Sequence, residues 1–227
     1  MSVPGGADGG GATGGIASTL AAVRAGIPAG VTLVAVSKTQ PADAIREAFA
    51  AGQRDFGENY VQEWREKADA LSDLEGLRWH FVGSLQTNKV KYLAGRVALV
   101  HTVDRIDLGR EIAKRWERAG GRARVLVEVN LGGEASKGGC RPGDAPDLVA
   151  ALRELPALEV AGLTCIPPPD DDPRPHFRAL RRLRDALGLA ELSMGMSGDY
   201  PVAIEEGATI VRVGTAIFGE RVRLTPP

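Results

Sequence analysis

Short runs of apolar residues alternate along the chain with longer stretches in which apolar positions recur every three or four residues. The first run, VTLVAVSK at 31–38, is almost continuously apolar and rich in valine, as expected of a parallel strand buried on both faces. Pro41 then opens a helical pattern that runs through Ile45, Ala48 and Phe49 to Gly52, with proline at its start and glycine near its end. The same unit repeats with RDF at 54–56 before a helix near 60–72, WHFV at 79–82 before one near 87–94, and VALVHTV at 97–103 before one near 105–119. It continues with ARVLVEVN at 123–130 and a helix near 145–155, EVAGLTCI at 159–166 and a helix near 175–187, and ELSM at 191–194 and a helix near 199–206. TIVRVG at 209–214 supplies an eighth strand. Periodicity alone also fits an open doubly wound sheet, but eight strands alternating with helices favour an α/β fold of one class, a single (β/α)8 TIM barrel.

The flanks are of a different kind. Seven of the first fifteen residues, MSVPGGADGGGATGG, are glycine, and such a segment buries too little to offset its backbone entropy. Residues 1–15 are therefore expected to be disordered, 16–221 to form the barrel and 222–227 to be a tail. An amphipathic segment near 16–25 is expected to plug or flank the barrel's base. With 227 residues, 44% of them hydrophobic, one domain with a full core is the expectation.

A formal net charge of -1 gives no basic field of the kind that tracks phosphate backbones, so small molecules become the expected partners and neither nucleic acid nor membrane is. Cys140 and Cys165 are the two cysteines, too few for a disulfide framework and without metal-ligand spacing. No apolar run reaches the length of a membrane span and no secretion signal is recognisable, so the expected location is the cytoplasm.

In a parallel barrel the carboxyl ends of the strands face the functional side. Lys38 closes the first strand there, on the same face as Thr32, Val34 and Val36 by alternation. Partial burial favours the neutral amine and makes such a lysine a nucleophile toward aldehydes. The plainer reading is that Lys38 snorkels outward and pairs with Glu58; Lys67 and Lys114 lie in polar helical patterns where solvation is the default.

The loops after strands seven and eight, SMGMSGD at 193–199 and VGTAIFG at 213–219, offer hydroxyls and unobstructed N–H groups at Ser197, Gly198, Gly214 and Thr215, in the place where barrels commonly bind phosphate. Ordinary capping by Ser197 and Thr215 is the competing reading. Arg212 puts a guanidinium in an apolar strand and so demands a partner; Asp104 or Glu128 is the bland choice and a ligand the sharp one. Asn59 after the second strand either contacts a ligand or caps a helix. Lys137 is a second amine on the functional side, equally explained as solvated. His80 and His101 read as satisfied core residues, and Asp170, Asp171 and Asp172 as a solvated loop.

Together the blocks VAVSKT at 34–39, FGENYVQE at 56–63, WHFVGSLQTNK at 79–89, HTVDR at 101–105, LSMGMSGD and VRVGTAIFGE resemble the pyridoxal phosphate homeostasis family, also called the proline synthase co-transcribed or YggS-like family. The resemblance spans 31–220, although the segment before the first strand looks shorter than is usual there. It implies a barrel like the amino-terminal domain of alanine racemase, with Lys38 holding pyridoxal 5′-phosphate (PLP) as an internal aldimine. It also implies that Ser197, Gly198, Gly214 and Thr215 contact the phosphate, Arg212 faces the pyridine nitrogen and Asn59 lines the ring. The expected function is a monomeric, non-catalytic carrier or buffer that supplies cofactor to apoenzymes. An alanine-racemase-type enzyme is the main competitor, and a cofactor-free aldolase using the same lysine is a third reading.

Overall fold

The computed structural model describes residues 15–134 and 138–219. The strands are β1 (Thr32–Val36), β2 (Asp55–Glu58), β3 (Arg78–Phe81), β4 (Leu99–Val103), β5 (Ala123–Glu128), β6 (Leu158–Thr164), β7 (Glu191–Ser193) and β8 (Ile210–Val213). Each pairs in parallel with the next, and β8 pairs with β1 to close the barrel. The closed order decides between the two architectures that periodicity left open, in favour of the barrel.

The helices follow the strands as expected. After α1 (Ile16–Ala25) come α2 (Ala42–Ala50), α3 (Val61–Ala70), α4 (Val90–Leu93) behind a 3-10 turn at Thr87–Lys89, α5 (Ile106–Arg118), α6 (Ala145–Arg153), α7 (Pro173–Ala186), α8 (Tyr200–Glu205) and α9 (Thr215–Phe218). Local chemistry sets several of their ends. In α7 Pro173 occupies the first turn, and the Asp172 carboxylate accepts the Arg174 N–H at 3.0 Å, a side-chain cap that satisfies one otherwise orphaned donor. In α5 the buried stripe is Leu108, Ile112, Ala113 and Trp116, at the spacing that places side chains on one helix face. Helix α1 does not plug the base. It lies in the outer ring against α2 and α9, and Thr19 Oγ1 donates to the Ile217 carbonyl at 2.6 Å.

Strand alternation divides the core in two. Leu33, Ala35, Phe56, Phe81 and Val125 point outward and join Ile45, Trp64, Ile112 and Phe177 of the helices in one large cluster. Val34, Leu99, Leu126, Ala161 and Ile210 form a separate cluster inside the barrel. In the β1–β8 register Val34 stands beside Arg212, so polar side chains share the interior with this apolar layer. Among the described residues no helix is long and apolar enough to cross a membrane.

The interior layer underlies everything at the mouth, and Leu126 is fully buried in it. Leu126→Ala is expected to destabilise the fold by about 2–5 kcal/mol through lost transfer energy and an unfilled cavity. Arg124→Ala on the same strand, which removes solvent-exposed pairs with Glu159 and Glu191, is expected to change stability by less than about 1 kcal/mol. Urea unfolding of the two variants checks the difference.

Candidate functional site

A cavity of about 290 Å³ opens at the carboxyl ends of the strands, near the lower limit of roughly 300–1,000 Å³ for small-ligand pockets. Its wall includes Lys38, Asn59, Ser197, Gly198, Arg212, Gly214 and Thr215, so all seven residues singled out from the sequence converge on one space. Val36, Val82, Ile166 and Met196 add apolar surface. The charge-bearing groups of the wall are Lys38 and Arg212, so the cavity is built to receive an anion. Lys137 lies outside the described residues, as do the glycine-rich leader up to residue 14 and the tail.

Lys38 is held from behind. Its neighbours Ser37 and Thr39 are anchored by a buried cluster on the helix side of the sheet. Lys67 Nζ donates to the Ser37 carbonyl at 2.6 Å and to Glu58 and Glu63 carboxylates at 2.7 Å each. Ser37 Oγ donates to Glu58 Oε1 at 2.7 Å, and the Thr39 N–H donates to Glu63. Thr39 has φ 65°, the single positive φ of a non-glycine residue among those described, a conformation tolerated where surroundings enforce it. Burial pushes the Glu58 carboxyl up, against the opposing pull of Lys67 and Ser37. Two expectations change here. Glu58 faces the helix layer and pairs with Lys67, and Lys67 is not solvated but only 7% exposed, because an ammonium is needed between two carboxylates at that depth.

Asn59 does not cap α3, whose N-cap is Tyr60 without a side-chain bond. Its Oδ1 is buried with no hydrogen-bond partner, an acceptor left for a ligand or, after an amide flip, a donor. The loop carrying it is packed tightly: a Cβ on Gly83 would come within 2.1 Å of the Asn59 carbonyl oxygen. Ser197 does not cap its own helix either. Its Oγ accepts long bonds of 3.3 Å from the N–H groups of Gly214 and Ala216, so the two loops share one set of donors. Those two amides and the Ser197 hydroxyl make a cradle in which an anionic oxygen would find stronger bonds.

Arg212 is 6% exposed, and neither Asp104 nor Glu128 is its direct partner. Nη1 donates to Thr164 Oγ1 at 3.0 Å and to Ser193 Oγ at 2.6 Å, while Nη2 donates to the Cys165 carbonyl at 2.9 Å. A guanidinium has five N–H donors, and these three bonds leave two of them unused by the described residues. Burial lowers its pKa from the usual value, opposed by more distant Cys165, Glu128 and Asp199, and arginine stays a cation in any case.

Sequence reasoning passed over what lies beneath. His101 Nδ1 is 2.9 Å from Ser193 Oγ, His101 Nε2 is 3.0 Å from His80 Nδ1, and His80 Nε2 is 3.0 Å from Asp55 Oδ1. Arg78 closes the series at the base with a bond from Nε to Asp55 Oδ1 at 2.7 Å. Each residue alone looks like a satisfied core side chain; Asp55, His80 and His101 share interior parity, and register across three strands was the signal needed to join them.

The family model described as alanine racemase, N-terminal domain, matches residues 13–222. The pyridoxal phosphate homeostasis protein of Aquifex aeolicus is 52% identical over 198 residues, covering 83% of this chain and 86% of that one. The structure of PipY from Synechococcus elongatus PCC7942 with PLP bound superposes with a TM-score of 0.85 at 39% identity, covering 90% of this chain and all of that one. An alanine racemase of Clostridium difficile 630 superposes with a TM-score of 0.75 at 12% identity, covering 91% of this chain and 56% of that enzyme, which is likeness of fold alone.

Burial by itself would raise the Asp55 carboxyl, but hydrogen bonds from His80 and Arg78 outweigh it and hold the pKa at about 2, against an ordinary 3.8. A depressed folded-state pKa contributes stability that is complete above about pH 4 and drains away as the pH falls toward 2. Urea unfolding at stepped pH is expected to show stability falling more steeply over that window in the native protein than in Asp55→Asn. Parallel curves would contradict this account of the base.

Proposed function

The chain belongs to the pyridoxal phosphate homeostasis proteins, which carry the alanine racemase N-terminal domain, and from that premise we propose that it binds PLP through Lys38 as a cofactor carrier rather than a catalyst. The observation that carries the reading is the convergence of an amine, an anion cradle and a buried guanidinium on one cavity. When bound, PLP supplies an electrophilic aldehyde and an electron-withdrawing ring.

The chain's own residues divide the remaining work. Lys38 reaches the cavity from a backbone fixed on both sides, which aims its stem at the space where the aldehyde would lie. Ser197, Gly198, Gly214 and Thr215 take the phosphate, whose oxygens satisfy the amides that Ser197 Oγ holds at 3.3 Å. Asn59 brings its unpaired amide against the ring. One spare N–H group of Arg212 would donate to the pyridine nitrogen, which would have to accept because a guanidinium cannot. A ring nitrogen kept unprotonated withdraws electrons poorly, and this disfavours carbanion chemistry.

The racemase reading has less support. It requires an acid or base on each face of the reacting carbon, and beside Lys38 the wall contains no histidine, tyrosine, cysteine or carboxylate among the described residues. Tyr60 is 59% exposed at the start of α3, and Tyr92 lies under the Arg65 and Lys91 cations. The proposal extends to a cytoplasmic monomer that limits free aldehyde and supplies PLP-dependent apoenzymes.

Mixing the protein with PLP is expected to produce the near-visible absorption band of a lysine-bound aldehyde, and borohydride reduction followed by peptide mapping is expected to label position 38. Lys38→Ala should abolish both while leaving weak, phosphate-held binding. Label at another lysine, or no band in the native protein, contradicts the assignment. Racemisation of amino acids at an enzyme-like rate would overturn the carrier reading and leave the cofactor site standing.

A further inference from the structure

The buried hydrogen bonds beneath Arg212 run in one direction when every hydroxyl and ring N–H among them is given an acceptor. A guanidinium can only donate, so its 2.6 Å bond makes Ser193 Oγ an acceptor there. The Thr164 hydroxyl gives its own proton to the Ser193 carbonyl at 2.8 Å and so accepts from Arg212 as well. The Ser193 hydroxyl keeps a proton of its own to place, and among its hydrogen-bond partners only His101 Nδ1 at 2.9 Å can accept it. That assigns His101 its proton on Nε2, which donates to His80 Nδ1 at 3.0 Å. His80 in turn carries its proton on Nε2 and gives it to Asp55 Oδ1 at 3.0 Å. Every donor points from the mouth toward the base.

The charged ends suit this order. Asp55 opens β2 at the base, where Arg78 donates to both of its oxygens and keeps it ionised. His101 is fully enclosed, and burial first, then the neighbouring His80 and Arg212, push its pKa well below the ordinary value, so the ring is neutral. Hydrogen bonds aligned head to tail in a low-dielectric interior polarise one another. A carboxylate at one end therefore strengthens each acceptor along the series, including the Ser193 oxygen that holds the guanidinium.

We propose that Ser193, His101 and His80 are positioning residues through which ionised Asp55, at the base of the barrel, fixes the orientation and electrostatic strength of Arg212 at the mouth. The inference rests on the reading of Arg212 as the partner of the cofactor's ring nitrogen. It gives a role to four polar side chains that touch neither phosphate nor aldehyde, and it makes the electronic state of the bound ring depend on a carboxylate on the far side of the barrel.

Two measurements test it separately. In the cofactor-free native protein, long-range 15N–1H correlation spectra of labelled histidine are expected to show a proton on Nε2 and none on Nδ1 in both rings, the pattern that the proposed direction requires. A proton on Nδ1 of either ring overturns the proposed direction. In protein loaded with PLP labelled at the ring nitrogen, Asp55→Asn and Ser193→Ala are each expected to shift the pyridine 15N resonance in the same sense. Leu99→Val, which trims the interior layer without removing a polar atom, is expected to leave it in place. Unmoved resonances in both polar variants, or an equal shift in Leu99→Val, overturn the proposal even where the cofactor is bound at Lys38. Failure of the native protein to take up PLP refutes the reading of the site instead, and the histidine tautomers then still decide the direction of the series.

Discussion

A permanent cation inside a closed barrel is the constraint around which this molecule is organised. Arg212 cannot shed its proton to relieve burial, so the interior must supply acceptors, and it supplies neutral ones: two hydroxyls and one carbonyl. Neutral partners satisfy the donors without cancelling the charge. A carboxylate in direct contact would have cancelled much of the charge, whereas the arrangement found here leaves it in the wall of the cavity. Thr164 and Ser193 must hold their hydroxyls in one orientation to do this, and the residues behind them are ordered accordingly.

The same reasoning explains the wall opposite. The backbone that carries Lys38 is placed by groups behind it, on the far side of the sheet from the cavity. Glu58 and Glu63 share Lys67 on the helix side of the sheet, where they grip the backbone before and after Lys38. The sheet thus separates two electrostatic compartments one strand thick. Outside it, Lys67 and Glu58 are buried against each other with half-buried Glu63 beside them; inside it, Lys38 and Arg212 line the cavity beside the loops after β7 and β8, which exchange hydrogen bonds.

The fold was legible because most strands are short apolar runs and the longer helices between them carry their own stripes, so the count of units could be made without knowing any contact. The seven cavity residues were legible for a related reason: in a barrel, a polar residue closing a buried strand has one place to go. What sequence could not reach was pairing across elements. Arg212 was given carboxylate partners by charge, whereas the register with β6 and β7 delivers hydroxyls. Lys67 sits in a polar helix, yet one turn of α3 carries it over the end of β1. Asp55, His80 and His101 stand 25 and 21 positions apart along the chain, and only adjacent strands bring them into bonding distance.

These features converge on one claim, that PLP lies with its aldehyde carbon bonded to Lys38, its ring nitrogen on Arg212 and its phosphate across the β7 and β8 loops. A crystal structure of the protein grown with PLP tests it most directly. The account predicts continuous density from Lys38 Nζ into the ring, an Arg212 nitrogen within hydrogen-bonding distance of the pyridine nitrogen, and phosphate oxygens on the amides of Gly214 and Ala216. Density joined to a different lysine, or a phosphate seated away from those two loops, would contradict it.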